Sequence, residues 1–362
     1  MPIIWCSISA HGFGHAAQVI PILNELGKIV ENVHVILRTG VPSSIFEEYL
    51  HVQWELQAVP QDIGCIQRGP LEIDIDGTWA AYKEFHENWN QRVAQEAEAM
   101  SEVKPNLVIS NISYLAIASA CQANLPVVAI ASLSWDQVLH GFMSSLRADH
   151  LVIYEHIQKE YGKADHLIRL HPGIDMPAFG SITDTGPSFP LAESSKQDVR
   201  KILEVARGEK LVLIAFGGVP LTGLPLAQME SCEGFHFLVA GISLDASFKR
   251  IHRVEDITLP FGEVMRQVDV VMSKPGYATI ATAVHYGIPV VYVRRHNFVD
   301  EQSLVDYVHK YGRAMELTVE NFESGIWDKA LHSVLRLPIP QELPPKPETY
   351  VAAGLLREYL KA

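Results

Sequence analysis

The chain has 362 residues, of which 48% are hydrophobic, and it carries a formal net charge of −13 at pH 7. This length favours two α/β domains over a single core. The acidic balance argues against a nucleic-acid-binding surface, where clustered Lys and Arg are expected, so we predict no nucleic-acid partner.

The cysteines and the N-terminus indicate the compartment. The four Cys residues form no C-x-x-C pair, so neither a zinc site nor a disulfide framework is predicted. No apolar stretch approaches bilayer length, and the chain enters its first strand without a basic region or cleavage site. We therefore predict a cytoplasmic protein with reduced thiols and no transmembrane segment. Its oligomeric state is left open.

A glycine-rich loop follows the first predicted strand. The strand covers residues 2–9, the loop is Ala10–His15, and an apolar helical pattern continues to Leu26. Open parallel sheets bind ligands at such strand ends, although the loop lacks the third glycine of a dinucleotide fingerprint. Imidazole suits proton transfer near neutral pH, so His11 and His15 are candidate bases. Helix capping or packing is the alternative for either histidine.

The rest of the first half alternates strands and helices. Residues 62–77 are predicted to be irregular, either lining a pocket or forming a solvated loop. Trp135 and Asp136 follow the carboxyl end of a strand and are candidate acceptor contacts. The remaining predicted strands are 33–37, 107–110 and 126–131, and the predicted helices are 43–49, 79–100 and one from about residue 115.

A dense run of Pro and Gly after residue 171 predicts the connection between the domains. We place a first Rossmann-like, acceptor-side domain at residues 1–175 and the connection at 176–195. A second Rossmann-like, donor-side domain then covers 196–340, and a proline-rich segment with a terminal helix covers 341–362. The predicted elements of this half are strands 211–216, 235–240, 257–259, 268–272 and 290–293, and helices 198–206, 278–285, 303–309 and 350–360.

The most informative stretch is Ser273–Arg295, which predicts a strand end, a glycine turn, a helix and a second strand. A helix that begins directly after the turn at Gly276 offers unpaired backbone N–H groups and the positive end of its dipole. We therefore predict that this turn holds the diphosphate of a nucleotide-linked ligand. The alternative is that Gly276 only makes a tight turn.

Two motifs resemble the GT-B glycosyltransferases. G-F-G-H at 12–15 resembles the first loop of the peptidoglycan N-acetylglucosaminyl transferase and its relatives, and S-K-P-G-Y-A-T at 273–279 with G-I-P-V-V-Y-V at 287–293 resembles their donor-binding loop and strand. The resemblance implies an α/β protein in which two Rossmann-like domains with parallel sheets face each other across a cleft.

A second resemblance, to the N-terminal glycosyltransferase-like region of L-arabinokinases, extends over most of the chain. It is carried by H-G-F-G-H at 11–15, D-I-G-C-I-Q at 62–67, S-W-D at 134–136, K-P-G-Y-A-T at 274–279, V-R-R at 293–295 and Asp300-Glu301. Those enzymes continue into a kinase domain for which this chain has no residues left, so phosphoryl transfer to arabinose is not expected.

The resemblance also implies roles for single residues. His15 matches the position of the general base, with His11 as an alternative that the sequence does not exclude. Thr282 stands where many relatives use Glu to bind the ribose, so the identity of the nucleotide is left open. The residues implied in donor binding are Gly12, Gly14, Gly217, Gly218, Phe261, Lys274, Gly276, Tyr277, Thr279, Asp300, Glu301 and Gln302.

These observations favour an enzyme, a glycosyltransferase that moves a sugar from a nucleotide diphosphate sugar to an acceptor hydroxyl. We expect a UDP-sugar donor, an unidentified acceptor, inversion at the anomeric carbon and no tightly bound cofactor. No cluster of His residues suggests a metal, and we predict no metal site. One alternative is a non-catalytic module that binds a sugar or nucleotide sugar, and another is an epimerase or hydrolase of the same fold.

Overall fold

Two parallel sheets form the frame of the protein. The computed structural model describes every residue except 144–146, 193–196, 219–220, 222, 245–246, 296 and 362. Within the described residues, the strands of the first half are β1 Ile3–Ile8, β2 His34–Arg38, β3 Gln53–Gln57, β4 Gln67–Gly69, β5 Glu72–Ile73, β6 Leu107–Asn111, β7 Val127–Ala131, β8 His166–Leu170 and β9 Ile182–Thr185.

The first sheet has the order β3-β2-β1-β6-β7-β8-β9, and all its described strand pairs are parallel. Its central strands are buried on both faces, which explains their nearly continuous apolar sequences. Chain order reverses between β1 and β6, so the connections after these two strands lead to opposite faces. Such a reversal leaves a crevice at the carboxyl ends of the two strands.

The helices of the first half are α1 Gly14–Ile29, α2 Ser43–Tyr49, α3 Ile75–Glu87, α4 Trp89–Val103, α5 Tyr114–Gln122, α6 Trp135–Gly141 and α7 Ala148–Tyr161. The prediction of one helix over 79–100 is wrong, because α3 ends at Glu87 and a second helix, α4, begins at Trp89. The break lets Trp89 stack on Tyr114 with 5.2 Å between ring centroids. The edge strand β3 was not predicted, since its alternating side chains are only partly buried.

The second sheet repeats this plan with strands β10 Lys210–Ile214, β11 Phe235–Val239, β12 Ile251–Arg253, β13 Val270–Ser273, β14 Val290–Tyr292 and β15 Ala314–Glu316. Its order is β12-β11-β10-β13-β14-β15, with all described pairs parallel and a reversal between β10 and β13. The predicted strand at 257–259 is wrong. The observed strand, β12, ends earlier at Arg253 and is followed by a 3₁₀ turn at Val254–Asp256. The fold class, with two parallel sheets, is confirmed.

The helices of the second half are α8 Val199–Ile202, α9 Leu226–Ser231, α10 Phe261–Arg266, α11 Tyr277–His285, α12 Glu301–Tyr311, α13 Val319–Ser324, α14 Asp328–Arg336 and α15 Thr349–Tyr359. We call the part with the first sheet the first lobe and the part with the second sheet the second lobe. Strand β9 lies inside the predicted connection 176–195 and pairs with β8, so the first sheet continues into that segment. Residues 193–195 of that prediction, and residue 196 where the next domain was placed, lie outside the described residues.

One apolar core joins the two lobes. It includes Leu23 of α1, Ile280 of α11 and Leu356 of the terminal helix α15, all of which are nearly or fully buried. Helix α15 packs against α1, so the last described helix returns to the first lobe. In the described part of the chain, no helix combines the length and apolarity needed to cross a bilayer.

Candidate functional site

The loops at the two points where strand order reverses contact each other. The loop after β1 belongs to the first reversal, and the loop after β10 belongs to the second. A Cβ built on Gly12 would lie only 3.0 Å from the carbonyl oxygen of Gly217, so the loops are in contact. Gly12 has φ +80° and Gly217 has φ +74°, a backbone region that favours glycine. The structure therefore brings these two predicted glycine positions together.

His15 is held by a buried hydrogen-bond network at the first reversal. Its Nδ1 lies 2.8 Å from Oδ1 of Asn111, the last residue of β6. The Asn111 amide nitrogen donates to Oε1 of Gln18 and to the carbonyl oxygen of Ile130. Since the amide nitrogen is used in this way, Oδ1 is the atom that accepts a hydrogen bond from His15. His15 therefore carries its proton on Nδ1, and Nε2 bears a lone pair.

Burial lowers the pKa of His15 to about 4, although its hydrogen bond to Asn111 acts in the opposite direction. The imidazole is therefore neutral at pH 7 and can accept a proton at Nε2. No hydrogen bond to Nε2 is present among the described residues. His15 thus has the tautomer and the charge to accept a proton, and its lowered pKa makes it a weaker base than an exposed imidazole.

Replacing Asn111 by Asp should raise the pKa of His15. A carboxylate beside Nδ1 favours the imidazolium, whereas the neutral amide gives it no charge to pair with. The acid limb of the pH–rate profile, which follows protonation of the base, should then move to higher pH. NMR titration of His15 in both proteins measures the shift directly, and a lower or unchanged pKa would contradict it. Loss of the two amide donor bonds should also cost about 1–3 kcal/mol of stability, measured by denaturation.

His11 has a different hydrogen-bond pattern. Its Nδ1 accepts from the backbone N–H of Cys65 at 3.2 Å, and its Nε2 lies 3.3 Å from the side-chain amide of Gln67. Burial, followed by nearby His15, Lys274 and Arg295, holds its pKa well below the ordinary value. With Nδ1 accepting, the proton of the neutral ring resides on Nε2, and the Gln67 amide must turn its oxygen toward Nε2 to accept it. His11 then has no free lone pair, in contrast to Nε2 of His15.

Lys274 places a cationic side chain beside the glycine turn at Gly217 in the second lobe. It follows β13, and a Cβ built on Gly217 would lie 3.7 Å from its Cε. Burial, followed by the nearby Arg295 guanidinium, lowers the pKa of Lys274 to about 7. None of the ion pairs or hydrogen bonds between described residues involves its ammonium. The carboxylates of Asp300 and Glu301 act on this ammonium in the opposite direction, but neither forms an ion pair with it among the described residues. A partly buried ammonium without a direct ion pair is suited to an anionic ligand.

Gly276 is the N-cap of α11, and Thr279 lies in its first turn. Both are partly exposed, and a Cβ on Gly276 would meet nothing closer than 3.9 Å. Tyr277 is buried instead. Its hydroxyl donates to the carbonyl oxygen of His171 and accepts from the N–H of Ser188, so its ring anchors the helix. Gly276 and Thr279 thus remain partly exposed while the side chain of Tyr277 has a structural contact.

The three consecutive residues Asp300, Glu301 and Gln302, all predicted to bind the donor, lie in different environments. Asp300 is buried at the N-cap of α12, its Oδ1 lacks a hydrogen-bond partner among the described residues, and burial raises its pKa to about 7. Glu301 is fully buried and pairs with Nε of Arg295 at 2.6 Å. Gln302 is exposed and donates to Asp306. Of the three, Asp300 has an unpaired oxygen suited to a ligand hydroxyl.

Phe261 and the predicted acceptor residues also have defined contacts. The N–H of Phe261, the first residue of α10, donates to Oε1 of Glu48 in the first lobe. Trp135 and Asp136 are fully buried. The indole N–H of Trp135 donates to Asp62 at 2.8 Å, and Asp136 accepts from Ser134. Their observed contacts are within the protein, and the acceptor-binding role stays a prediction.

Sequence reasoning did not identify Asn111, Gln18 or Arg295 as site residues. Asn111 is the last residue of β6, and a polar residue at the carboxyl end of a strand was the available signal. Gln18 lies in α1 among apolar residues, where nothing local distinguishes it from a core position. Arg295 was noted only as part of a motif, because its ion pair with Glu301 depends on the loop between them.

A separate cavity of about 520 Å³ lies between α4, α5 and α7. Trp89, His156 and Lys159 are among its lining residues, and none of the predicted site residues is. In the described part of the chain, no group of three or more His, Cys, Asp or Glu is placed to hold a metal ion.

Solved structures with the same arrangement are glycosyltransferases. The glycotransferase of kitacinnamycin superposes with a TM-score of 0.62 at 15% identity, over 99% of this chain and 95% of that one. A UDP-glucosyltransferase from Polygonum tinctorium, capable of glucosylating indoxyl, superposes with a TM-score of 0.63 at 11% identity, over 100% and 99%. This chain has the GT-B fold. At such low sequence identity, structural similarity shows the fold and not the reaction.

A curated protein resembles the GT-B chain in sequence. L-arabinokinase of Arabidopsis thaliana is 28% identical over 334 residues, which cover 91% of this chain and 32% of that protein. The chain thus spans about a third of the length of this relative. No protein-family model matches the chain.

Proposed function

We propose that this protein is a glycosyltransferase that moves a sugar from a nucleotide diphosphate sugar, with UDP as the nucleotide, to an acceptor hydroxyl. The observation that carries the proposal is the meeting of a neutral His15 and an unpaired Lys274. Gly12, three residues before His15, lies against Gly217, and the Cβ position of Gly217 lies 3.7 Å from Cε of Lys274. Besides burial, His15 and Lys274 both lower the pKa of His11. A base beside a cation meets the two requirements of the transfer.

In the proposed reaction, the acceptor oxygen attacks the anomeric carbon as the bond to the diphosphate oxygen breaks. The hydroxyl proton passes to Nε2 of His15, and the leaving diphosphate keeps the electron pair. Lys274 and the N–H groups of the first turn of α11 stabilise the charge that builds on the leaving group. Attack from the face opposite the leaving group inverts the anomeric carbon, and no step requires a metal.

The remaining polar groups have supporting roles in this proposal. Asp300 accepts hydrogen bonds from hydroxyls of the donor sugar. Gly12, Gly14, Gly217 and Gly218 allow the backbone to approach the diphosphate closely. Contact between the lobes excludes water from the reacting groups.

The proposal is tested by combining binding with turnover. Thermal shift with a panel of nucleotides and UDP-sugars should identify a stabilising ligand, because stabilisation grows with ligand concentration over Kd. Incubation of that donor with an acceptor panel should then release the nucleotide and form a glycoside with inverted configuration. Donor consumption without any acceptor would instead indicate a hydrolase or epimerase.

A second candidate is a binding module without transferase activity. It is favoured by the match to L-arabinokinase, which extends over 91% of this chain. Calorimetric binding of a sugar or nucleotide sugar, with no product from any donor and acceptor pair, would support this candidate over the first.

A further inference from the structure

The aromatic ring of Phe13 lies on a glycine turn of the opposite lobe. A Cβ built on Gly218 would lie 2.8 Å from Cε2 and 3.0 Å from Cδ2 of Phe13. Gly218 has φ +80°, so the turn and the ring contact both favour glycine there. The loop after β1 therefore covers the turn after β10 with an aromatic side chain.

Core packing among the described residues does not hold Phe13 in place. Its side chain is 42% exposed, and it belongs to none of the three apolar clusters that these residues form. It precedes α1 as the N-cap residue, where its side chain makes no capping hydrogen bond. A half-exposed ring gains only part of the free energy of apolar burial, so moving it away costs little.

The turn under Phe13 lies directly beside the unpaired cation. Gly217 is the neighbour of Gly218, and the Cβ position of Gly217 is 3.7 Å from Cε of Lys274. An anion that approaches Lys274 along the Gly217–Gly218 backbone would meet the ring of Phe13. The side chain is also flanked by Gly12 and Gly14, so the adjoining backbone has few steric restrictions on its movement.

We propose that Phe13 is a gate over the diphosphate-binding turn, and that it must leave Gly218 before the donor can bind. This inference rests on the proposed function and adds a regulatory step to the same site. In the closed form the ring and the diphosphate compete for one surface. The apparent affinity for the donor is then reduced by the fraction of molecules in which the ring is displaced.

The test measures binding of UDP and of inorganic pyrophosphate by calorimetry to the wild type and to Phe13→Ala and Phe13→Trp variants of the full chain. Removing the ring should tighten binding of both probes by about fivefold or more, because more molecules are open. The larger Trp side chain should weaken it. General destabilisation of the loop would weaken binding in both variants, so opposite directions are diagnostic. Ile29→Ala is the matched control, since Ile29 is 44% exposed at the other end of α1.

Equal or weaker binding to Phe13→Ala would overturn the gate, and the proposed function would stand if transfer continued. Tighter binding of pyrophosphate without any binding of UDP would support the gate and contradict the nucleotide part of the proposed function. If neither probe bound the wild type or Phe13→Ala, the turn would bind no diphosphate, and both proposals would be overturned.

Discussion

Replacing His15 by Ala should lower kcat by about 10²- to 10⁴-fold, the usual contribution of a positioned general base. The acceptor hydroxyl would then have to lose its proton to water. Donor binding should change little, because Lys274 and the α11 amides are retained. Initial rates at saturating donor and acceptor, together with calorimetric donor affinity, measure the two effects separately.

Truncation of His15 also leaves Oδ1 of Asn111 without its donor, so a second variant is needed. His15→Gln provides an amide N–H for Asn111 but has no group that accepts a proton at neutral pH. It should be as inactive as His15→Ala while it remains folded. The exposed His332 supplies the control, and His332→Ala should keep wild-type rates. Unchanged turnover in His15→Gln would show that another group takes the proton.

Replacing Lys274 by Met should lower kcat/KM by about 10²- to 10³-fold, comparable to the loss of one donor that stabilises a developing anion. Met keeps most of the length and the apolar stem of Lys274 but removes its charge. The leaving diphosphate would lose a cation in a partly buried place, where charge interactions are stronger than in water. Steady-state kinetics with the donor identified by thermal shift measure the loss.

The pH dependence of donor binding gives an independent check on Lys274. Its pKa is about 7 in the free protein, so the ammonium is lost as pH rises through that value. Donor affinity should therefore fall above pH 7 in the wild type, and this limb should be absent in Lys274→Met. Lys329→Met changes an exposed lysine of α14 and should leave the limb in place. If Lys274→Met kept the same limb, another group would be responsible for it.

Much of the frame could be predicted from local sequence because buried parallel strands have a simple signature. The strands β1, β6, β7, β10 and β13 were identified because their side chains are buried on both faces and are therefore almost all apolar. The turn at Gly276 was identified for a related reason, since Pro and Gly between an apolar strand and an apolar helix leave few other structures. The short edge strands β3, β9 and β15 have no such signature, because neighbours on one side only bury them in part.

The amino-acid sequence by itself determined the two α/β halves, the histidine loop and the glycine turn at Gly276, because strand burial and turn chemistry are local properties. Tertiary structure alone decided which histidine has a free lone pair. That choice depends on Asn111, which is 96 residues away from His15 and reaches it only because β6 lies beside β1. It also decided that Phe13 lies on Gly218, because contacts between lobes depend on packing across the whole chain and leave no periodic pattern in the sequence.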